Sequence, residues 1–243
     1  MSAIALTNAY CYVHAHNFTC DTNQLALNAE AATLDRTTFC HQGWTTLAGG
    51  GLKSGTFSMG GFWQSAASDA VDPQAYADLG VADRVFTFGP QQAEGGVAYL
   101  WQGGHFTYNL LGTIGELAPF TLEARSTGGA GVVRGQLAAA AQSVDATGVL
   151  GSVVNLGAVA AGQHLYATVH VLGTPGTSIS LDIESDDSAG FASPTVRASI
   201  GPLAAAGGMW VTPVPGPITD THWRLDVSSI TGEFTVAAAL AVQ

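Results

Sequence analysis

The chain has 243 residues, of which only 10% are charged, and its 7 Lys and Arg against 18 Asp and Glu give a formal net charge of −11. An apolar content of 47% argues against a disordered chain, and so few basic residues cannot build the basic patch of a nucleic-acid-binding surface. A surface with so few charges and 31 glycines in the chain tends to aggregate unless partners cover it, so the composition indicates a subunit of an assembly.

Strand patterns dominate the first half of the chain. Residues 10–19 are rich in aromatic side chains, and residues 24–33 alternate between apolar and polar ones, which predicts two strands. Further strands are predicted at residues 56–63, 84–88, 97–101, 105–111, 120–125 and 132–137. Two short helices are expected, one within residues 38–48 and one over residues 72–80 that has Pro73 at its first position.

The second half of the chain is again patterned as strands. They are predicted at residues 151–156, 164–172, 177–184, 195–200, 209–212, 222–227 and 233–242. This density of short strands separated by turns is typical of a β-sandwich. A run of small residues at 138–148 predicts a boundary near residue 142, which gives domains of residues 1–142 and 143–243. The predicted fold class is all-β with one or two short helices.

Targeting and redox signals are sparse. No Lys or Arg precedes Arg36, so the start lacks the charged region of a signal peptide, and synthesis in a cytosol is expected. The longest apolar run, residues 236–242, is far shorter than the ~18 residues of a membrane helix, so no membrane partner is expected. The odd set of Cys11, Cys20 and Cys40 favours reduced thiols, although a disulfide stays open.

Two groups of side chains invite a metal interpretation. His14 and His16 share the spacing of a strand chelate, but exposed polar residues explain the pair better. Asp182, Glu184 and Asp186 alternate along a strand, but the Gly and Glu that a calcium loop requires are missing, which favours a solvated strand face. The sequence therefore predicts no metal and no cofactor.

Catalytic motifs are equally weak. Asp220, Thr221 and His222 are adjacent, but neighbouring side chains on a strand face opposite ways, and no activated serine is identifiable. His105 and His170 lie within aromatic or apolar strands, which favours structural roles. An enzyme is not expected.

One segment is more specific than composition. Residues 34–39 (LDRTTF) are followed by Gly43 and Trp44 and then by residues 51–62 (GLKSGTFSMGGF). This order resembles the tail tube proteins of long-tailed bacteriophages, in which an Asp-x-Thr-Thr-Phe element precedes a short helix with Trp, and a Gly-Leu-Lys-like turn leads into a strand. The resemblance covers most of residues 1–142. The chain departs from it at Cys40 and His41 and in the glycine run at 49–51, so the local loop geometry is expected to differ.

The resemblance implies a structural protein of the virion. It implies a tail-tube β-sandwich or barrel domain in residues 1–142, which forms hexameric rings that stack into a tube with other tail proteins as partners. Residues 143–243 resemble the β-sandwich that some such proteins carry on the outside. DNA would pass through the lumen without specific binding, and an acidic lining suits that role because it repels phosphates.

The same resemblance identifies candidate assembly residues. Thr37, Thr38, Phe39, Trp44 and Leu52 are expected to order a loop that contacts the next ring. An alternative stays open, in which Phe39, Trp44 and Leu52 are core residues of a single subunit.

Two other functions are compatible with the composition. A capsid decoration or cement protein would also be strand-rich and assembled. A carbohydrate-binding module would use Trp101, Trp210 and Trp223 as stacking platforms for sugar rings.

Overall fold

The computed structural model describes residues 5–67 and 70–243. Residues 1–4, the first part of the segment without Lys or Arg, lie outside the described residues. One α-helix, α1 (Val71–Ala77), and a 3-10 turn (Phe39–His41) accompany the strands among these residues. The strands are β1 (Tyr10–Val13), β2 (His16–Asn17), β3 (Thr22–Asp35), β4 (Leu47–Phe62), β5 (Arg84–Gly89), β6 (Val97–Leu110), β7 (Pro119–Ser126), β8 (Val133–Val144), β9 (Gly148–Asn155), β10 (His164–Leu172), β11 (Ser178–Asp186), β12 (Thr195–Leu203), β13 (Gly207–Trp210), β14 (Val214–Pro215), β15 (His222–Thr231) and β16 (Phe234–Val242).

The strands form two sheets whose strands pair antiparallel, and the fold is all-β as predicted. The larger sheet runs β13-β10-β16-β8-β6-β5-β1-β2, with β7, β4 and β3 branching from β6 and β14 pairing with β10. The smaller sheet runs β12-β11-β15-β9. Strand β8 pairs with β6 of the first half and with β16 of the second, so the two halves of the chain share one sheet.

The proposed boundary near residue 142 falls inside β8. The small residues at 138–148 predicted a domain boundary, but most of them lie in this strand. Small side chains there allow neighbouring elements to pack closely. The division into residues 1–142 and 143–243 stays a proposal about roles, and the shared strand argues against a flexible linker at that point.

Strand β16 explains how the halves pack together. Because successive side chains on a strand point to opposite faces, β16 contributes to two cores. Val236, Ala238 and Leu240 lie in the sandwich core, between the smaller sheet and β8, β10 and β16. The opposite face lies in the junction core, which comprises Ala237, Ala239 and Ala241 with Tyr10, Tyr12, Ala98, Leu100, Val133, Leu137 and Leu172. The apolar run at 236–242 is thus a strand buried on both faces.

A third core belongs to the first half. Phe57, Phe86 and Trp101 pack together there, with ring centroids 4.8 to 6.2 Å apart. Val71 and Ala75 of α1 cover this core from outside the sheets. Among residues 5–67 and 70–243, no helix has the length and apolar character needed to cross a membrane.

The element predictions hold in most places, and four of them are wrong. Helix α1 begins at Val71 and ends at Ala77, so Pro73 is its third residue rather than its first. Residues 10–19 form a hairpin rather than one strand, with His14 at a φ of 52° in its turn. The helix expected within residues 38–48 is only the 3-10 turn, and Gly43 follows with a φ of 87°. The separate strands at 97–101 and 105–111 are one long strand, β6. The seven strands predicted for the second half are present as β9, β10, β11, β12, β13, β15 and β16.

Candidate assembly surface

The β3–β4 hairpin extends beyond the sheet that carries it. Strand β4 pairs with β7 only from Thr56 to Phe62, whereas it pairs with β3 back to Leu47. Residues 30–54, here called the arm, therefore form a ribbon of two strands. The arm portion of β4, residues 47–54, spans roughly 26 Å at about 3.3 Å per residue. Two strands alone are marginally stable in water, so the arm lacks the support that a third strand or a packed face would give it.

Hydrogen bonds order the tip of the arm. The Thr37 amide donates to Asp35 Oδ1 over 2.8 Å, and the Thr46 amide donates to Thr37 Oγ1 over 2.8 Å. The hydroxyl and amide of Thr37 hold the pKa of the Asp35 carboxyl below its ordinary value. Asp35 and Thr37 of the Asp-x-Thr pattern therefore close the tip. Their side chains accept from backbone amides that no third strand reaches.

Glycine is required where the arm bends. The register between β3 and β4 shifts between Ala31 and Thr33, next to the glycine run at 49–51. Gly50 has a φ of 125°, and a Cβ at Gly51 would lie 2.5 Å from the carbonyl oxygen of Ala32. The run that departs from the tail tube pattern is thus a bulge in the arm.

The arm exposes the apolar residues singled out from the sequence. Phe39 is fully exposed, and Trp44 and Leu52 are 81% and 90% exposed. Leu34 and Leu47 are each more than half exposed on the same ribbon. The alternative that Phe39, Trp44 and Leu52 belong to the core of one subunit is therefore wrong, and their role at an interface stays a prediction.

A second exposed apolar group lies at the opposite end of this sheet. The loop between β6 and β7 exposes Leu111, Ile114 and Leu117. Strand β4 runs from the arm to Phe62, which pairs with Pro119 at the end of that loop. The arm and this loop, here called the distal loop, therefore lie at opposite ends. Sequence reasoning missed the distal loop, although three large apolar residues beside glycines at 112 and 115 were the available signal.

The second half contributes little to this exposed apolar surface. Among the described residues, the exposed large hydrophobic side chains lie before residue 120, except for Val149 and Val196. The distribution places the apolar surface on the half that contains the arm.

The two histidines of the metal hypothesis are not on one strand face. His14 lies in the turn between β1 and β2, where its Nδ1 accepts from the Gly208 amide over 3.0 Å, and His16 follows in β2. No group of three or more His, Cys, Asp or Glu that could hold a metal ion occurs within residues 5–67 and 70–243. Cys11 is buried, Cys20 and Cys40 are exposed, and all three are free thiols.

The prediction that the alternating carboxylates form a solvated strand face is wrong for Glu184 and Asp186. Glu184 binds Arg224 over 2.8 Å, and the Arg224 guanidinium lies 4.3 Å from the centre of the Phe191 ring. Asp186 is buried and accepts from the amides of Ser188 and Ser193. Two of the three carboxylates, Glu184 and Asp186, therefore already have donors within the fold.

The adjacent Asp220 and His222 do not form a catalytic pair. Asp220 binds Arg197 over 2.7 Å and accepts from the Ser185 hydroxyl over 2.6 Å. These two donors hold the pKa of the Asp220 carboxyl below its ordinary value. His222 instead lies 3.0 Å from the Thr221 hydroxyl, measured at Nδ1. The cluster stabilises the turn between β14 and β15.

The tryptophans are not placed to stack on sugars, which removes the basis of the carbohydrate hypothesis. Trp101 and Trp223 are fully buried. Trp210 is half-buried, with its ring centroid 5.8 Å from that of Tyr166. His105 and His170 are buried within the fold, as expected of structural histidines.

Some solved structures are similar to this chain, whereas no family model is. No family model matches the chain, and no curated protein matches it. Among solved structures, a chain in the virion of a native gene transfer agent particle is similar, with 21% identity and a TM-score of 0.41 over 52% of this chain and 95% of that chain. A chain in the tail of an empty gene transfer agent particle, refined with C6 symmetry, has 22% identity and a TM-score of 0.36 over 44% of this chain and 78% of that chain. The SPP1 Dit protein, gp 19.1, described as a hub adsorption apparatus of phages that infect Gram-positive bacteria, has 9% identity and a TM-score of 0.40 over 97% and 99% of the two chains.

Proposed function

We propose that this chain is a structural subunit of a phage tail, the major tail tube protein, which forms hexameric rings that stack into a DNA conduit in the virion. The sequence resemblance of residues 34–62 supports the family. Residues 1–142 form the ring and its lumen in this proposal, residues 143–243 face outward, and other tail proteins cap the tube. No catalytic role is proposed.

The arm is the observation that carries this proposal. An exposed two-stranded ribbon with Phe39, Trp44 and Leu52 at its surface is marginally stable by itself and gains stability when another surface covers those side chains. Thr37 shapes the tip through its two hydrogen bonds, and Thr38 lies beside Phe39 in it. These five residues are the proposed assembly interface.

The position of the distal loop supports stacking in one direction. An apolar surface at each end of the sheet allows the arm of one subunit to meet the distal loop of another. Such a contact joins two different surfaces, so it does not end at a closed pair and can repeat along an axis, as a tube requires.

Electron microscopy of the purified chain tests the proposal. Negative staining is expected to show hollow tubes or stacked rings, since burial of the arm drives association. Replacing Phe39 and Trp44 by Ser is expected to abolish the tubes and leave folded subunits or single rings. Val149→Ser, which removes an exposed apolar residue of the second half, serves as the matched control and is expected to assemble normally.

Two results would contradict the proposal. Stable monomers at high concentration would remove the assembly role altogether. Discrete closed oligomers that bind phage capsids but never form tubes would favour the decoration or cement protein instead.

A further inference from the structure

The junction between the halves contains a polar network centred on His14, separate from the assembly surface. The Gly208 amide donates to His14 Nδ1 over 3.0 Å, and Arg84 Nη1 lies 3.2 Å from His14 Nε2. His170 Nδ1 donates to the His14 carbonyl over 2.8 Å. Gly208 and His170 belong to β13 and β10, whereas His14 and Arg84 belong to the first half. His14 therefore joins the two halves directly.

The hydrogen-bond donors around His14 require an unprotonated ring. A neutral histidine has one accepting nitrogen and one that donates, whereas a backbone amide and a guanidinium only donate. His14 thus faces two donors with a single acceptor, and Gly208 uses that acceptor. A second proton would remove the acceptor, point a donor at the Gly208 amide and place a cation beside Arg84.

His14 has a strained backbone conformation, and close packing against Gly208 holds it. His14 has a φ of 52°, a left-handed conformation that non-glycine residues seldom adopt. Gly208 packs so closely that a Cβ there would lie 2.9 Å from His14 Cα. A strained residue that the surrounding contacts over-determine is a common feature of switch regions.

The second histidine of the network is fully buried behind the first. His170 Nε2 lies 2.8 Å from Thr87 Oγ1, which lies 2.7 Å from Thr168 Oγ1. With Nδ1 donating to His14, a neutral His170 accepts at Nε2 from the Thr87 hydroxyl. Burial lowers the pKa of His170 to about 4.

Other charged groups face His14 from each neighbouring element. Arg84 begins β5, Asp83 precedes it and Asp78 follows α1, with Asp78 bound to Arg84 over 2.6 Å. His16 approaches from β2, and β13 offers only the glycines at 207 and 208. Burial and Arg84 lower the pKa of His14, and the carboxylates of Asp78 and Asp83 oppose this shift.

We propose that the network is a proton-sensitive latch, in which protonation of His14 releases Gly208 and loosens β13 and β10 from β1 and β5. The sandwich core of the second half remains closed, since no member of the latch lies in it. A histidine whose pKa is lower in the folded state stabilises that state fully above its ordinary pKa of about 6.5, and this contribution is lost as the pH falls below that value. The latch therefore opens on the acid side. The inference is independent of the proposed function.

Hydrogen exchange measured by mass spectrometry on the full chain tests the latch. Exchange is compared at pH 7.5 and pH 5.0 after correction for the intrinsic rate at each pH. Peptides covering residues 206–211 are expected to lose protection several-fold at pH 5.0, because protonation of His14 removes the acceptor of the Gly208 amide. Peptides covering β11 are expected to keep theirs. No change at 206–211, or an equal loss in β11, would overturn the proposal.

A variant separates His14 from the other titrating groups. In His14→Asn the new side chain tolerates a positive φ, and its amide oxygen can accept from Gly208 without titrating. The pH response at residues 206–211 should vanish in this variant and persist in His164→Asn, which changes a histidine of β10 outside the network. An unchanged response in His14→Asn would assign the effect elsewhere and overturn the proposal. If that variant does not fold, the comparison of the two wild-type peptides still decides.

Discussion

At the scale of single residues, Gly208 has less room than its neighbour. A Cβ at Gly208 would lie 2.9 Å from His14 Cα and 3.0 Å from Val85 Cβ, so the backbone of the turn would have to move. We expect Gly208→Ala to lower the free energy of unfolding by about 1–3 kcal/mol, the usual range for overpacking. Urea denaturation followed by tryptophan fluorescence measures the change.

Gly207 provides the control for this prediction. The nearest atom to a Cβ at Gly207 is His14 Cε1 at 3.4 Å, an ordinary contact with the edge of a side chain. Gly207→Ala is therefore expected to change stability by less than about 0.5 kcal/mol. Equal losses in the two variants would show that the close approach of Gly208 to His14 does not determine the effect.

Some residue roles could be read from the sequence and others could not. The resemblance to tail tube proteins at Asp35 to Phe39 selected residues that lie at the exposed tip of the arm, and their role at an interface stays a prediction. His14 was misjudged, because its partners are Arg84, 70 positions away, and Gly208, 194 positions away. Trp101 and Trp223 were misjudged for a related reason, since an aromatic residue in a strand has the same local pattern whether it is buried or exposed.

At the scale of elements, strands of the second half were predictable because alternation and turn residues are local. The boundary near residue 142 was inferred from small side chains, which indicate a linker when a strand is considered alone. In β16 and at residues 137–139 of β8, the small side chains instead reflect burial on both faces. The length of the arm was equally hidden, because the glycine run at 49–51 masks the continuity of β4.

The two-faced packing of β16 yields a prediction. Ala239 is fully buried in the junction core, opposite Leu137 of β8 and Thr168 of β10. Ala239→Leu is expected to destabilise the fold by about 1–3 kcal/mol, because a larger side chain must push the halves apart. The midpoint of urea unfolding reports this loss. Ala26→Leu, at an exposed position of β3, is the strand-matched control and should stay within about 0.5 kcal/mol of wild type.

A contrary result would identify a different packing. If Ala239→Leu is as stable as wild type, the junction core has space for three more carbon atoms, and the halves pack more loosely than its buried residues indicate.

At the scale of the whole molecule, the apolar surface of the first half is covered in two ways. Exposed apolar side chains are concentrated in the first half, where the proposed assembly would cover them. The second half covers a different apolar surface of the first half, the junction core, within the same subunit. The net charge of −11 limits non-specific adhesion to DNA, which suits the proposed conduit.

The shared sheet predicts the behaviour of the first half alone. A fragment of residues 1–142 lacks β16 and β10, so Tyr10, Tyr12 and Leu100 lose the apolar side chains that cover them, and Thr87 loses its partner Thr168. We expect the fragment to aggregate or to unfold without cooperativity, whereas the full chain unfolds in a single transition. Size-exclusion chromatography and near-ultraviolet circular dichroism distinguish these states. A monodisperse fragment with native-like dichroism and cooperative unfolding would contradict the prediction, because it would show that the first half completes its core without β16.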